Sequence, residues 1–430
     1  MEGPNCGGDT KKQRKKTWKL VLVIVSTLLL ALCMSVVIYW GITGVSSFRE
    51  GIDNISHLVM PKENNIYRKT SYSVSDGKAD KTAARLVATA GEEGELNNGL
   101  LQIFYWMEVY DYLEEYSYDA IYNGLDYTKP LDAQRYSDTG STWQHYFLEN
   151  AIKNWHGYQA LALVARDEGA QLEEELRLEL DNLRDTLTQS VMETGHSGID
   201  ALIQADMGPG CTYEDYEKYM QIYYAGHSYL NQKLAVKNYT LADIEAYFNA
   251  HMSELDKEGI SKESGNLMDV RHILIAVEGG TEDEDGDTIY SQEEWDTCKA
   301  EAQALMDQWL EGEATEERFA QLAAEYSEDA GSNTKGGLYT SLNEESGFVP
   351  EFIEWYMDES RQPGDYGLLQ TDYGYHVMYF SASEAQWIRT CREALLKEDT
   401  QEILNHALKQ YPLEIDYQKI ALGVVNLGSM

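Results

Sequence analysis

Cations are the first scarcity. The 430-residue chain holds 34 Lys plus Arg against 73 Asp plus Glu, a formal charge of -39. A surface that acidic repels phosphate backbones, because nucleic-acid binders need clustered cations to displace counterions, so nucleic acid is excluded as a partner. Cysteine is sparse too. Five residues, at 6, 33, 211, 298 and 391, are widely spaced, with no CxxC and no zinc-type Cys/His spacing. That rules out a disulfide-stapled secreted domain. Cys298, on the apolar stripe of a predicted helix, reads as a small core residue. Several catalytic signatures are also missing: there is no HExxH, P-loop or GxGxxG, and Gly195-His196-Ser197-Gly198 fails the spacing of a nucleophile elbow. What is present still folds, since 43% of residues are hydrophobic and 11% aromatic, enough for two or three compact units.

The few cations cluster at one end. Lys11, Lys12, Arg14, Lys15, Lys16 and Lys19 face only Glu2 and Asp9 within residues 1–19, and Leu20 to Trp40 follows as 21 uncharged residues ending in Tyr39 and Trp40. At about 1.5 Å per residue this run crosses a hydrocarbon core of roughly 30 Å. The basic side predicts a short cytoplasmic tail at 1–19, a signal anchor at 20–40 and an exported body, a single-pass protein of the cell membrane. Leu30-Ala31-Leu32-Cys33 looks like a lipoprotein cleavage box, but Leu32 is bulky where a small residue belongs and the apolar run continues through Ile38, so the anchor is expected uncleaved.

Residues 41–85 are polar and aperiodic, a stalk. Leu86 to Ala90 reads as a short strand, and helical spacing then takes over. Leu100, Ile103, Phe104 and Met107 follow the candidate caps Asn97 and Asn98. Leu172, Leu176, Leu180, Leu183, Leu187 and Val191 form one seam. Thr212 with Asp215, and Thr240 with Asp243, are capping-box starts. An all-helical module over 86–267 is expected, completed by a C-terminal helix and tail at 384–430. The aromatic run Phe104, Tyr105, Trp106, Tyr110, Tyr112, Tyr116, Tyr118 and Tyr122 is assigned to packing between those helices, with a client-binding cradle as the alternative.

From 268 to 383 the pattern changes to strands alternating with helices, an inserted α+β unit. Val270 to Val277 is a strand, Ser291 with Glu294 a helix cap, Thr315 and Pro350 helix starts, and Gly367 to Thr371 with Tyr375 to Ser381 a hairpin around Asp372-Tyr373-Gly374. His272 and His376 each lie inside an apolar strand, where a single histidine is ordinarily a satisfied core residue.

Five motifs here resemble the parvulin peptidyl-prolyl isomerases in order and spacing. They are Arg271-His272-Ile273-Leu274-Ile275, the segment Phe319 to Ser332, the pair Gly336-Gly337, Phe348-Val349-Pro350-Glu351-Phe352, and Tyr373-Gly374-Tyr375-His376. The flanking helices, with Tyr239-Thr240-Leu241-Ala242-Asp243-Ile244, resemble the chaperone module of the PrsA and SurA foldases. The resemblance implies an α+β, FKBP-like β-α-β parvulin domain inserted in that module, and an isomerase of X-Pro bonds assisting unfolded or partly folded exported proteins. A holdase with a catalytically weak parvulin domain used as a binding module is the alternative. It further implies His272, Asp329 and His376 as the catalytic group, Asp329 holding the position of a cysteine or aspartate beside the substrate carbonyl. Phe348, Phe352, Leu338 and Tyr373 are implied to bind substrate. Without the motifs, Asp329 reads as a turn carboxylate and the phenylalanines as core. The family's Gly-Gly-Asp-Leu-Gly is here Gly336-Gly337-Leu338-Tyr339-Thr340, and Phe348 and Tyr373 replace a methionine and a small hydroxyl residue.

Rotating an X-Pro bond must overcome about 20 kcal/mol of amide resonance but breaks no covalent bond, so no cofactor or metal is expected. Asp283, Asp285, Asp287 and Glu294 do fall at calcium-loop positions, yet Thr288 stands where the sharp turn needs glycine. The acidic loop from Glu278 to Asp287 instead disfavours phosphoserine before proline.

Overall fold

The computed structural model describes residues 79–115, 124–126, 129–136, 141–282 and 288–423. The basic tail, the apolar run Leu20 to Trp40 and most of the stalk lie outside them, as do Tyr116, Tyr118, Tyr122 and the positions 283–287. Among the described residues no helix is long and apolar enough to cross a membrane. Two compact units divide the chain: one runs up to Asn238 and resumes at Leu396, and the other is Tyr239–Leu395.

In the first unit a short helix α1 (Ala79–Ala83) precedes strands β1 (Leu86–Ala90) and β2 (Gly94–Asn97). Asn97 then caps α2 (Asn98–Glu115) by accepting the Leu100 N–H at 2.7 Å. Helices α3 (Trp143–Asp167), α4 (Glu174–Thr194), α5 (Ile199–Met207) and α6 (Tyr213–Ala235) follow. The Thr212–Asp215 capping box forms at the start of α6. The α4 seam buries Leu176, Leu183 and Leu187. Phe104, Tyr105, Trp106 and Tyr112 are all buried in one core with Trp143 and Trp155, which is the interhelical packing expected of that aromatic run.

The second unit opens with α7 (Leu241–Lys257), started by the Thr240–Asp243 capping box. Strands β3 (Asn266–Ala276), β4 (Thr281–Glu282) and β5 (Thr288–Ile289) precede α8 (Gln292–Glu311) and α9 (Glu316–Tyr326). Then come β6 (Leu338–Leu342), α10 (Pro350–Met357), β7 (Tyr366–Thr371), β8 (Gly374–Ala385) and α11 (Gln386–Gln410). The sequence assigns α7 to the helical module, but its Ile244, Phe248 and Leu255 close a core with Trp387 and Cys391 inside Tyr239–Leu395.

The four-stranded sheet has the order β6-β3-β8-β7, antiparallel throughout. Alternation sends successive side chains to opposite faces. Ile273, Ile275 and Val377 meet Cys298, Trp309, Phe319 and Leu322 of α8 and α9 on one face. Val270, Met378 and Phe380 meet Phe352, Trp355 and Tyr356 of α10 on the other. Cys298 is buried and donates its thiol to the Ile275 carbonyl at 3.1 Å, a core residue as its position predicts.

The helical module is not all-helical. A strand β9 (Leu413–Ile415) adds to β1, with Ala88 opposite Ile415 and Ala90 opposite Leu413, giving a three-stranded sheet β2-β1-β9. Two fully buried amides on successive turns of α2 hold the chain beyond that strand. Asn98 donates to the carbonyls of Thr82 and Lys419, each at 3.0 Å, and accepts the Ala421 N–H at 2.8 Å. Gln102 accepts from Gly423 N and donates to the Met207 carbonyl at 2.7 Å. These side chains satisfy backbone groups that no regular ladder reaches.

Candidate active site

His272 on β3 and His376 on β8 share the sheet face that carries Val270 and Met378 and packs against Phe352 of α10, as the period of two requires. In register His272 sits opposite Met378 and His376 opposite Leu274, so the two rings are diagonal neighbours. Their Nδ1 atoms are 3.0 Å apart and the rings lie 5.2 Å apart at 19°. Both are buried.

Asp329 arrives from the turn after α9. Ser327 Oγ accepts the Leu274 N–H at 3.1 Å and Glu328 N donates to the Leu274 carbonyl at 2.9 Å, which lays the turn along β3 beside His272. Three donors then meet on Asp329 Oδ2: His272 Nε2 at 2.8 Å, Ser332 Oγ at 2.5 Å and Tyr339 Oη at 2.9 Å. The other oxygen, Oδ1, accepts the Gly331 N–H at 3.2 Å. Gly337 closes the turn with φ of +73°, where a Cβ would lie 2.2 Å from the His272 carbonyl. No other residue fits there.

One set of proton positions satisfies the whole chain. Thr371 Oγ1 accepts the Tyr373 N–H at 3.2 Å and donates its own proton to His376 Nε2 at 2.8 Å. His376 Nδ1–H then donates to His272 Nδ1, and His272 Nε2–H donates to Asp329. Electrostatics agree with this assignment. Burial, then the neighbouring His272, push the His376 imidazole down to about 3, against a smaller opposing pull from Asp329. Burial alone would raise the Asp329 carboxyl, but hydrogen bonds from His272, Ser332 and Tyr339 hold it well below the usual carboxylate range.

Aromatic rings flank this chain. Phe352 is buried and meets the His272 and His376 rings edge-on at 5.2 Å and 5.6 Å. Half-buried Phe348 stacks on Phe352 at 4.8 Å and 14°, and Tyr339 meets Phe348 edge-on at 4.8 Å. The structure thus brings together His272, Asp329, His376, Phe348 and Phe352. Leu338 pairs with Arg271 and takes the face of that residue, whereas its neighbour Tyr339 pairs with Val270 and turns toward the histidines. Tyr373 is 63% exposed at the hairpin tip and joins the site through its backbone N–H on Thr371. Ser332, Tyr339 and Thr371 are further polar members of the site. Ser332 ends the Phe319 to Ser332 motif, Tyr339 follows Gly337 by two residues and Thr371 precedes Tyr373 by two, and these positions are their signal in the sequence.

The site is thus a buried histidine pair and an aspartate on one face of an antiparallel sheet, beside an aromatic wall. Residues 254–383 match the PPIC-type PPIASE domain family, and the chain therefore carries a parvulin-type peptidyl-prolyl cis-trans isomerase domain. Among solved structures it is similar to PrsA from Bacillus subtilis, at 20% identity over 64% of this chain and 89% of that one, with a TM-score of 0.27. PrsA from Bacillus anthracis matches at 14% identity over 62% and 99%, with a TM-score of 0.19. A structure from a study of two SurA-like chaperones of Campylobacter jejuni matches at 15% identity over 75% and 95%, with a TM-score of 0.20. No curated protein matches the chain.

Proposed function

We propose that the chain is a membrane-anchored, extracytoplasmic foldase whose isomerase domain rotates X-Pro bonds in exported, partly folded proteins. The anchor and the outward orientation rest on the basic cluster and the 21-residue uncharged run after it. The chemistry rests on one observation: a carboxylate held by three donors on a single oxygen, next to an aromatic wall.

A planar amide carries resonance charge on its oxygen, and twisting about C–N removes part of it. A fixed anion beside that oxygen repels the planar amide more than the twisted one, so the barrier falls without any bond breaking. Asp329 is the anion in this reading, with Oδ1 as its less-engaged oxygen. Phe348, Phe352 and Tyr339 grip the proline ring, and Tyr373 stands at the rim. His272 and His376 keep Asp329 in place.

The test is turnover of a proline-containing peptide by the full-length chain and by Asp329→Asn, alongside suppression of client aggregation. Loss of about tenfold or more in turnover with aggregation suppression intact is expected. Equal turnover by the variant would overturn the role given to Asp329, and no turnover by the parent chain would leave the holdase reading instead.

A further inference from the structure

Tyr339 stands where the parvulin pattern has leucine, and a leucine has no hydrogen to give. Here the phenol donates to Asp329 Oδ2 at 2.9 Å while its ring, 4.8 Å from Phe348 and 5.6 Å from His272, forms part of the aromatic wall. A second residue records the same arrangement. A Cβ at Gly331 would lie 2.6 Å from the Tyr339 hydroxyl oxygen, and Gly331 does not have a positive φ. Its missing side chain therefore answers to space and not to backbone conformation.

Resting on the isomerase reading above, we infer that Tyr339 serves two separable purposes: its hydroxyl positions the Asp329 carboxylate, and its ring sets the fit of the proline pocket, with Gly331 kept small to admit that hydroxyl. Three donors on Oδ2 leave the carboxylate no freedom to swing, so Oδ1 keeps one direction. Removing the phenol oxygen leaves His272 and Ser332 on the same atom and lets the group rotate about them. Burial and the Asp329 charge both push the phenol above its ordinary range, so it stays a donor throughout the range in which the protein is folded. The groups facing Asp329 are His272 from β3, Ser332 from its own turn and Tyr339 from β6, with His376 behind His272.

The two purposes separate in kinetics measured on the full-length chain. Tyr339→Phe keeps the ring and drops the oxygen, so kcat should fall about tenfold with KM nearly unchanged. Tyr339→Leu, which restores the family residue, should lose kcat similarly and also raise KM by about twofold to tenfold as the ring contacts go. Gly331→Ala should lower kcat in the parent and be close to neutral on the Tyr339→Phe background, where there is no hydroxyl to displace. Circular dichroism and thermal unfolding report whether each variant folds. Should the leucine variant fail to fold, the phenylalanine variant, which differs by one oxygen, decides. A parent chain without turnover overturns the isomerase reading and this inference with it. An active parent with unchanged kcat in Tyr339→Phe, or equal Gly331→Ala losses on both backgrounds, overturns this inference alone.

Discussion

Lowering the pH from 7 to 5 should loosen the isomerase unit through His376. The ring is 5% exposed, accepts from Thr371 at Nε2 and donates to His272 at Nδ1, so a second ring proton has no acceptor. Burial and the adjacent His272 push it down to about 3, below the value near 6.5 expected in the unfolded chain. The folded state therefore binds fewer protons than the unfolded state below about pH 6.5, and stability is whole above that pH and lost as pH falls toward 3. Between pH 6.5 and 5 the loss is about 2 kcal/mol, at 1.36 kcal/mol per unit. Asp329 has the same sign, but its window opens only below the unfolded carboxylate value of about 4, so it adds little at pH 5. Burial pushes His227, in the other unit, down to about 4, so a global melt would mix the two effects. Hydrogen exchange of the β3 and β8 amides isolates the isomerase unit, and His376→Gln should flatten its slope between pH 7 and 5. Protection that is the same at both pH values in the parent, after correction for intrinsic rates, would refute the argument, as would an identical slope in the variant.

Asn98→Ala should destabilise the helical unit by roughly 3–5 kcal/mol, because it strands the carbonyls of Thr82 and Lys419 and the N–H of Ala421. Chemical denaturation, with limited proteolysis of the segment after Tyr417, would report it, and an unchanged midpoint would mean that water replaces the amide. At low salt, a peptide with Lys before proline should turn over faster than one with Glu, since the chain carries -39 and Glu278 and Glu282 begin the loop after β3. That gap should close as salt shortens the screening length to about 10 Å at 0.1 M, and a preference for Glu would sink the charge argument.

Legibility followed the range of the interactions. The capping boxes at Thr212, Thr240 and Ser291 all form, because each is a contact between residues three apart. The hairpin at Asp372-Tyr373-Gly374 and the burial of His272 and His376 were readable from turn chemistry and alternation. The β1–β9 pairing was not, since Ala88 and Ile415 are joined by no local pattern and β9 is three residues long. Which of Leu338 and Tyr339 faces the histidines is not legible, because register is invisible in one strand: a one-residue slip flips every side chain, and β3 carries an irregularity between Met268 and Val270 where β6 pairs with it. Asn98 looked like a cap and was a long-range tie, a distinction made only by the chain returning from beyond residue 410.

A group that shuttles protons needs a pKa near the working pH, so that it can both take and give. Asp329 and His376 have both been driven the other way: the carboxylate is held below its ordinary range by donors, and the imidazole is pushed down to about 3 by burial. Near neutral pH one is therefore a standing anion and the other a standing neutral ring, and neither is poised to exchange a proton. The proposed bond rotation asks for that, because in it the amide keeps all its atoms while only its charge distribution changes. On that proposal, the hydrogen-bonded line from Thr371 through His376 and His272 to Asp329 is a splint for a fixed charge and not a relay. A splint need only keep its donors in register, which accounts for Ser332 and Tyr339 adding second and third bonds to an oxygen that His272 already satisfies.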